Sequence, residues 1–189
     1  KTIFSFRGLE HRLEFVRKIK GVEFYNDSFA TKPETTIAAI RSFSQPIILV
    51  AGGSEKGSHY TQLGKEITKS SVKTLILIGQ MAERIKGAVL SAGFKGKIIL
   101  RPSKKMREIV KMAFGEAKSG DIILLSPACA SFDMFENYKD RGFQFKKYVK
   151  EVLKKRGKVQ DIASELIGRL EKRLDNVVFQ LGLAKSRSQ

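Results

Sequence analysis

Three short stretches gather residues able to do chemistry: NDSFATKP at 26–33, GGSEKGS at 52–58 and SPACASFDMF at 126–135. The second is glycine-rich, surrounds Lys56 and follows the apolar run PIILV, as a phosphate-cradling loop would. The nucleotide P-loop reads G-x-x-x-x-G-K-[ST], so that its lysine and hydroxyl open a helix and meet the terminal phosphates. Here Lys56 precedes Gly57, and Gly52, Gly53 and Gly57 have the wrong spacing. The stretch is therefore not that loop, and a plain structural turn after a strand stays open. Cys129 sits in the third stretch, but a nucleophilic thiol needs a base, and neither His11 nor His59 adjoins it. It is expected to be a small packing residue. One cysteine and two histidines leave no internal disulfide and make a zinc centre improbable, which fits a reducing cytoplasm.

The elements that must position these stretches follow from periodicity. RLEFVRKIKGVEFYND alternates and turns at Lys20-Gly21, which predicts a β-hairpin. KPETTIAAIRSF puts Pro33 at a helix start, with Ile37, Ile40 and Phe43 at helical spacing. PIILVAGG, VKTLILIGQ and GDIILLSPA read as buried strands, GKIILRP as a shorter one. TQLGKEITKS, MAERIKGAVLSAG (closed by Gly93) and SKKMREIVKMAFGEAKSG (opened by Ser103 as N-cap) read as helices. Strands alternating with helices predict an α/β domain with a mostly parallel sheet. Ligands of such sheets bind at the carboxyl ends of the strands, and all three stretches fall on that rim. Beyond about residue 156, DIASELIGRLEKRLDNVVFQL predicts an added amphipathic helix, and AKSRSQ a disordered end.

With 189 residues, 42% hydrophobic and 29% charged, the chain suits one soluble domain with an appended element. It has no apolar run of membrane-spanning length. It shows no signal-peptide layout, and the first residue is not methionine, so a chain cut from something longer is expected. The 36 basic residues against 19 acidic invite a nucleic-acid reading. However, the excess is spread along the chain, with some enrichment after residue 146, and no stacking aromatics interleave it. A lysine-rich solvated surface is the better reading, and nucleic acid is not an expected partner.

GLEHR at 8–12, NDSFAT at 26–31, GGSEKG at 52–57 and LLSPACASFDMFENYKDRG at 124–142 together resemble the D-glutamate-adding branch of the Mur ligase family. The resemblance covers residues 6 to about 150 and is confined to the family's C-terminal part. It implies a Rossmann-like domain (residues 1–156, with the junction to a central domain) that receives the amino acid, followed by a basic tail at 157–189. In the family, ATP phosphorylates the alanine carboxylate of UDP-N-acetylmuramoyl-L-alanine, and D-glutamate attacks the acyl phosphate, a step of peptidoglycan synthesis in the cytoplasm. The P-loop, Mg²⁺ and the UDP sugar belong to N-terminal and central domains outside this chain, so this chain alone is expected to be inactive. By the same resemblance Arg12 and Asp27 would contact the ATP phosphates and ribose. Thr31, Lys56, Ser131, Phe132 (through its backbone amide) and Tyr138 would hold D-glutamate. No metal ligand and no certain catalytic residue is implied here.

On the residues alone, other readings stay open: a solvated Arg12, an Asx-turn at Asp27, core aromatics at Phe132 and Tyr138, a surface charge at Lys56. Asn26 reads as a turn residue and His11 as structural. The family usually has N-D-S-K-A-T-N, whereas Phe29 stands in the lysine place and Lys32 in the asparagine place. A sister Mur-type ligase domain, or a binding module that has lost catalysis, are the alternatives.

Overall fold

Lys20 and Gly21 both take positive φ, 49° and 79°, as a type I′ turn requires. The chain therefore folds β1 (Glu14–Ile19) back antiparallel on β2 (Val22–Asn26), the hairpin expected from the sequence. The computed structural model describes residues 8–100 and 105–152. The expected helix and disordered end of the tail at 157–189 lie outside them. Two compact units divide the chain, Lys1–Lys150 and Glu151–Gln189, and the sheet belongs to the first.

From β2 the elements alternate: α1 (Pro33–Arg41), β3 (Ile47–Gly52), α2 (Thr61–Lys69), β4 (Val72–Ile78), α3 (Ala82–Ser91), β5 (Lys97–Leu100), α4 (Met106–Glu116) and β6 (Ile122–Leu125). A fifth helix, α5, is helical from 138 to 152. The six strands lie in the order β1-β2-β6-β3-β4-β5, and every pair except β1/β2 is parallel. The chain steps outward from β3 to β5, and α4 then carries it back to insert β6 between β2 and β3. The connections reverse direction beside β3 and β6, and at such a switch point the loops after the strands part and leave a crevice.

The apolar runs are continuous because both sheet faces are covered. Ile47, Leu49 and Ala51 of β3 share one core with Leu75, Leu77, Ile122 and Leu124, under Ile37, Ile40, Leu63, Ile67, Ile85 and Val89 of α1 to α3. The alternate residues Ile48, Val50, Ile76, Ile123 and Leu125 are fully buried on the other face. There Phe24 of β2 sits 5.8 Å from the ring of Phe114 in α4 and 6.4 Å from that of Phe145 in α5. Each such buried side chain stabilises the fold by about 1.5–3 kcal/mol.

Two ends differ from expectation. α4 opens at Met106 with Lys105 in the N-cap position; Ser103, the expected cap, lies outside the described residues. α5 was not anticipated, although Asn137 caps it, its Oδ1 accepting the N–H groups of Lys139 and Asp140 at 2.9 and 3.0 Å.

Phe24→Ala empties a site walled by two other rings. It is expected to lower the unfolding free energy by about 3–5 kcal/mol, read as an earlier midpoint in urea with unchanged slope.

Candidate functional site

Backbone hydrogen bonds bring the loops after β3 and β6 together at the switch point. Ser126 N–H donates to Val50 C=O at 3.2 Å, Gly52 N–H to Pro127 C=O at 2.8 Å, and Ser54 N–H to Ala130 C=O at 3.0 Å. The approach is so close that a Cβ on Gly53, whose φ is +151°, would collide with the Ala130 carbonyl oxygen. Gly53 thus serves loop-to-loop packing, Gly52 lies against the Ile78 carbonyl at the end of β4, and Gly57 has open space around it. Their neighbour Glu55 accepts the N–H groups of Lys56 and Gly57 at 3.1 and 2.8 Å.

The loop after β2 joins them through a residue that sequence reasoning missed. Arg141 of α5 is fully buried. Its Nε donates to Ser28 Oγ (3.0 Å), Nη1 to the Cys129 and Ala130 carbonyls (3.2 Å each), and Nη2 to the Ser28 and Cys129 carbonyls (2.9 and 3.2 Å). All five guanidinium donors are thereby satisfied by neutral oxygens. Burial lowers the Arg141 pKa to about 10, so it remains a cation at neutral pH. Ser28 Oγ in turn donates to the Tyr138 carbonyl at 2.7 Å. The ENYKDRG stretch signals only a helix start capped by Asn137; that its arginine faces two loops rather than solvent is a tertiary fact.

Asp27, at the end of β2, is buried. Its Oδ2 accepts the Ser126 hydroxyl at 2.7 Å and its Oδ1 the Leu13 N–H at 3.2 Å. Desolvation pushes its pKa up to about 6, against the Ser126 and Leu13 hydrogen bonds and the nearby Arg12 charge. The Asx-turn considered for Asp27 is made instead by Asn26, whose Oδ1 accepts Ser28 N–H at 3.2 Å. Asn26 is also no simple turn residue. It is fully buried, and its Nδ2 donates to His11 Nδ1 and Glu14 Oε2 at 2.9 and 3.1 Å. His11 is structural, as expected: buried, it lies edge-on to Phe143 at 4.9 Å and fixes a turn in which His11 and Leu13 take positive φ, 63° and 41°. That turn carries Arg12. Desolvation keeps the His11 pKa below the ordinary value.

Two clefts open on this rim. One, of about 310 Å³, is lined by Arg12, Leu13, Asp27, Phe29, Ala30 and residues of α1. The other, of about 250 Å³, is lined by Phe29, Thr31, Lys56, Ala130, Ser131, Phe132, Asn137 and Tyr138. The first therefore holds both residues expected to meet a nucleotide, the second all five expected to meet an amino acid. Phe132 is 75% exposed, not a core aromatic, and Ser131 is buried. Lys32 is exposed at the start of α1 and lines neither cleft. Cys129 is buried and paired with the Tyr60 hydroxyl at 3.1 Å, its thiol pushed up to about 11 by burial, a packing residue and not a nucleophile. Among the described residues no group of three or more His, Cys, Asp and Glu side chains could hold a metal ion.

Residues 11–129 match the family described as Mur ligase, glutamate ligase domain. The chain is 45% identical over 152 residues to UDP-N-acetylmuramoylalanine–D-glutamate ligase of Caldicellulosiruptor saccharolyticus, covering 80% of this chain and 33% of that protein. It is 48% identical over 145 residues to the protein of the same name from Clostridioides difficile, covering 77% and 31%. The chain thus spans about a third of the length of these curated relatives. Among solved structures it superposes on UDP-N-acetylmuramate-alanine ligase from Thermotoga maritima with a TM-score of 0.52 at 11% identity, over 77% of this chain and 30% of that one. The murein peptide ligase from Psychrobacter arcticus gives 0.51 at 17%, over 66% and 28%. At those identities the likeness is one of fold.

Arg141→Met leaves the loop carbonyls without donors, and a loss of at least about 3 kcal/mol of stability is expected in urea. Arg141→Lys should recover only part of it, because an ammonium cannot fork across both loops. The raised Asp27 carboxyl binds its proton more tightly folded than unfolded. Its contribution is therefore full below pH 3.8 and lost as pH rises through about 6. The stability of the wild type relative to Asp27→Asn should fall by about 2–3 kcal/mol over that window and stay flat above it, measured by denaturation at stepped pH.

Proposed function

The chain belongs to the Mur ligase family by its glutamate ligase domain, and on that premise we propose that it is the amino-acid-receiving part of an ATP-dependent ligase joining D-glutamate to UDP-N-acetylmuramoyl-L-alanine. The observation that carries this reading is the convergence of Thr31, Lys56, Ser131, Phe132 and Tyr138 on one cleft, separated only by Phe29 from the cleft of Arg12 and Asp27. The names of its relatives, D-glutamate ligases, support the choice of amino acid.

The chemistry asked of this part is positioning. A carboxylate resists attack because oxide is a poor leaving group. Transfer of phosphoryl from ATP to that carboxylate gives an acyl phosphate. The free amine of D-glutamate adds to its carbonyl carbon, the nitrogen gives up a proton to solvent, and the tetrahedral centre collapses to an amide with phosphate leaving. Lys56 offers a mobile cation to a glutamate carboxylate, with Thr31 and Ser131 hydroxyls and the Phe132 N–H as further donors. Holding the amine in line is where most of the rate gain available to such a site arises. Asp27, ionised at neutral pH, has acceptor capacity for ribose hydroxyls. Arg12 supplies a planar fork for phosphate oxygens. Mg²⁺, which ligases of this class use with ATP, has no fitting ligand set among the described residues, and no step here runs through it. Among the same residues no helix is long and apolar enough to cross a membrane. A cytoplasmic site of action on nucleotide-linked substrates is part of the proposal.

An amide NMR titration of this chain with D-glutamate, and with L-glutamate as control, tests the assignment. Shifts confined to Thr31, Lys56 and Ser131 and seen with the D form alone are expected, and Lys56→Gln should weaken the response about tenfold. Equal shifts with both enantiomers, or shifts outside this cleft, would refute the assignment.

A further inference from the structure

Among the described residues Phe29 is the one side chain that lines both clefts. Its ring has two close neighbours: the Arg12 guanidinium carbon stands over it, 4.1 Å from the ring centroid, and the Tyr138 ring lies perpendicular to it with centroids 5.2 Å apart and an interplanar angle of 87°. Tyr138 also meets the His11 ring edge-on at 6.1 Å. The backbone holds the same arrangement, since Phe29 N–H donates to the His11 carbonyl at 3.0 Å, one residue before Arg12. Arg12 makes no side-chain hydrogen bond or ion pair among the described residues, and Asp27 acts on it only through its charge. The aromatic face is what holds its guanidinium.

We propose that Phe29 is a positioning residue that stacks the Arg12 guanidinium on the partition between the two clefts and presents its N–H edge to an anionic ligand. A guanidinium lying over a ring keeps all five donors in its plane, clear of the ring. Stacking therefore restrains the side chain without consuming any of the hydrogen bonds that a phosphate oxygen needs. A flexible Arg12 would have to lose its rotamer freedom when the anion arrives. Here the restraint is in place beforehand, and it is anchored through Tyr138 to the wall of the neighbouring cleft. The anion chemistry rests on the phosphate role given to Arg12 above, whereas the stacking stands on distances alone.

The test uses the 189-residue chain, its F29L and F29Y variants, and R12Q, with inorganic tripolyphosphate as the probe. In the wild type the Arg12 Nε–Hε resonance is expected upfield by the ring current. F29Y should keep that shift and F29L lose it. Tripolyphosphate affinity should fall about two- to fivefold in F29L, the size of one exposed cation–π contact, and recover in F29Y. An Arg12 resonance unmoved by F29L overturns the proposal. So does tripolyphosphate affinity unchanged in F29L but weakened in R12Q. If R12Q binds tripolyphosphate as the wild type does while the ring-current pattern holds, the phosphate role of Arg12 fails and the stacking stands. Phe29 is partly exposed, so its substitution by leucine should leave the amide spectrum dispersed.

Discussion

The mutual position of the loops after β2 and β6 depends on the buried guanidinium of Arg141; the loop after β3 is joined to them by backbone hydrogen bonds. A buried charge is costly unless every donor is satisfied. Here satisfaction comes from backbone and hydroxyl oxygens of two different loops, Ser28 on one and Cys129 and Ala130 on the other. No carboxylate pairs with it directly. The consequence is mechanical: if the loop after β2 shifted relative to the loop after β6, a buried cation would lose donors' partners it cannot replace with water. Helix α5 is thereby locked to the rim, and Tyr138, on its first turn, becomes a wall of the amino-acid cleft.

A second buried network fixes the other side of the rim. Asp27 links the Leu13 backbone to Ser126 beyond β6, and Ser126 Oγ also lies within hydrogen-bond distance of Thr36 Oγ1 of α1, at 3.0 Å. Asn26 and His11 tie the turn before β1 to the end of β2. Non-glycine residues at positive φ are tolerated only where their surroundings overdetermine them. His11 meets that condition, packed under Gly142, where a Cβ would strike its ring. Arg12 is thus delivered by a strained but well-anchored turn, and Phe29 completes its placement.

Much of the fold was legible because it is local. The Lys20-Gly21 turn, Pro33 at the first position of α1, and the three apolar runs of the central strands each carry a short-range physical cause, and each element formed where its pattern put it. Helix α5 went unread although Phe145 and Val149 stand at helical spacing and are fully buried; the third buried residue of that row, one turn earlier, is an arginine, which a hydrophobic pattern cannot register. The site residues came from the resemblance, not from periodicity. Nothing in the spacing of Thr31, Lys56 and Tyr138 along the chain brings them together.

The sequence by itself determined the element types up to β6, the parallel sheet, the family and the candidates for the two clefts, since these depend on turn chemistry, alternation and motif identity within a few residues. Only the tertiary structure decided that Asn26 and His11 are one buried unit, that Phe29 divides the clefts under Arg12, and that Arg141 is interior. Asn26 with His11 and Phe29 with Arg12 meet across the β1/β2 hairpin, whereas α5 returns Arg141 to the rim from far along the chain. Whether a polar side chain faces water or a ring of carbonyls depends on what those distant segments bring to it.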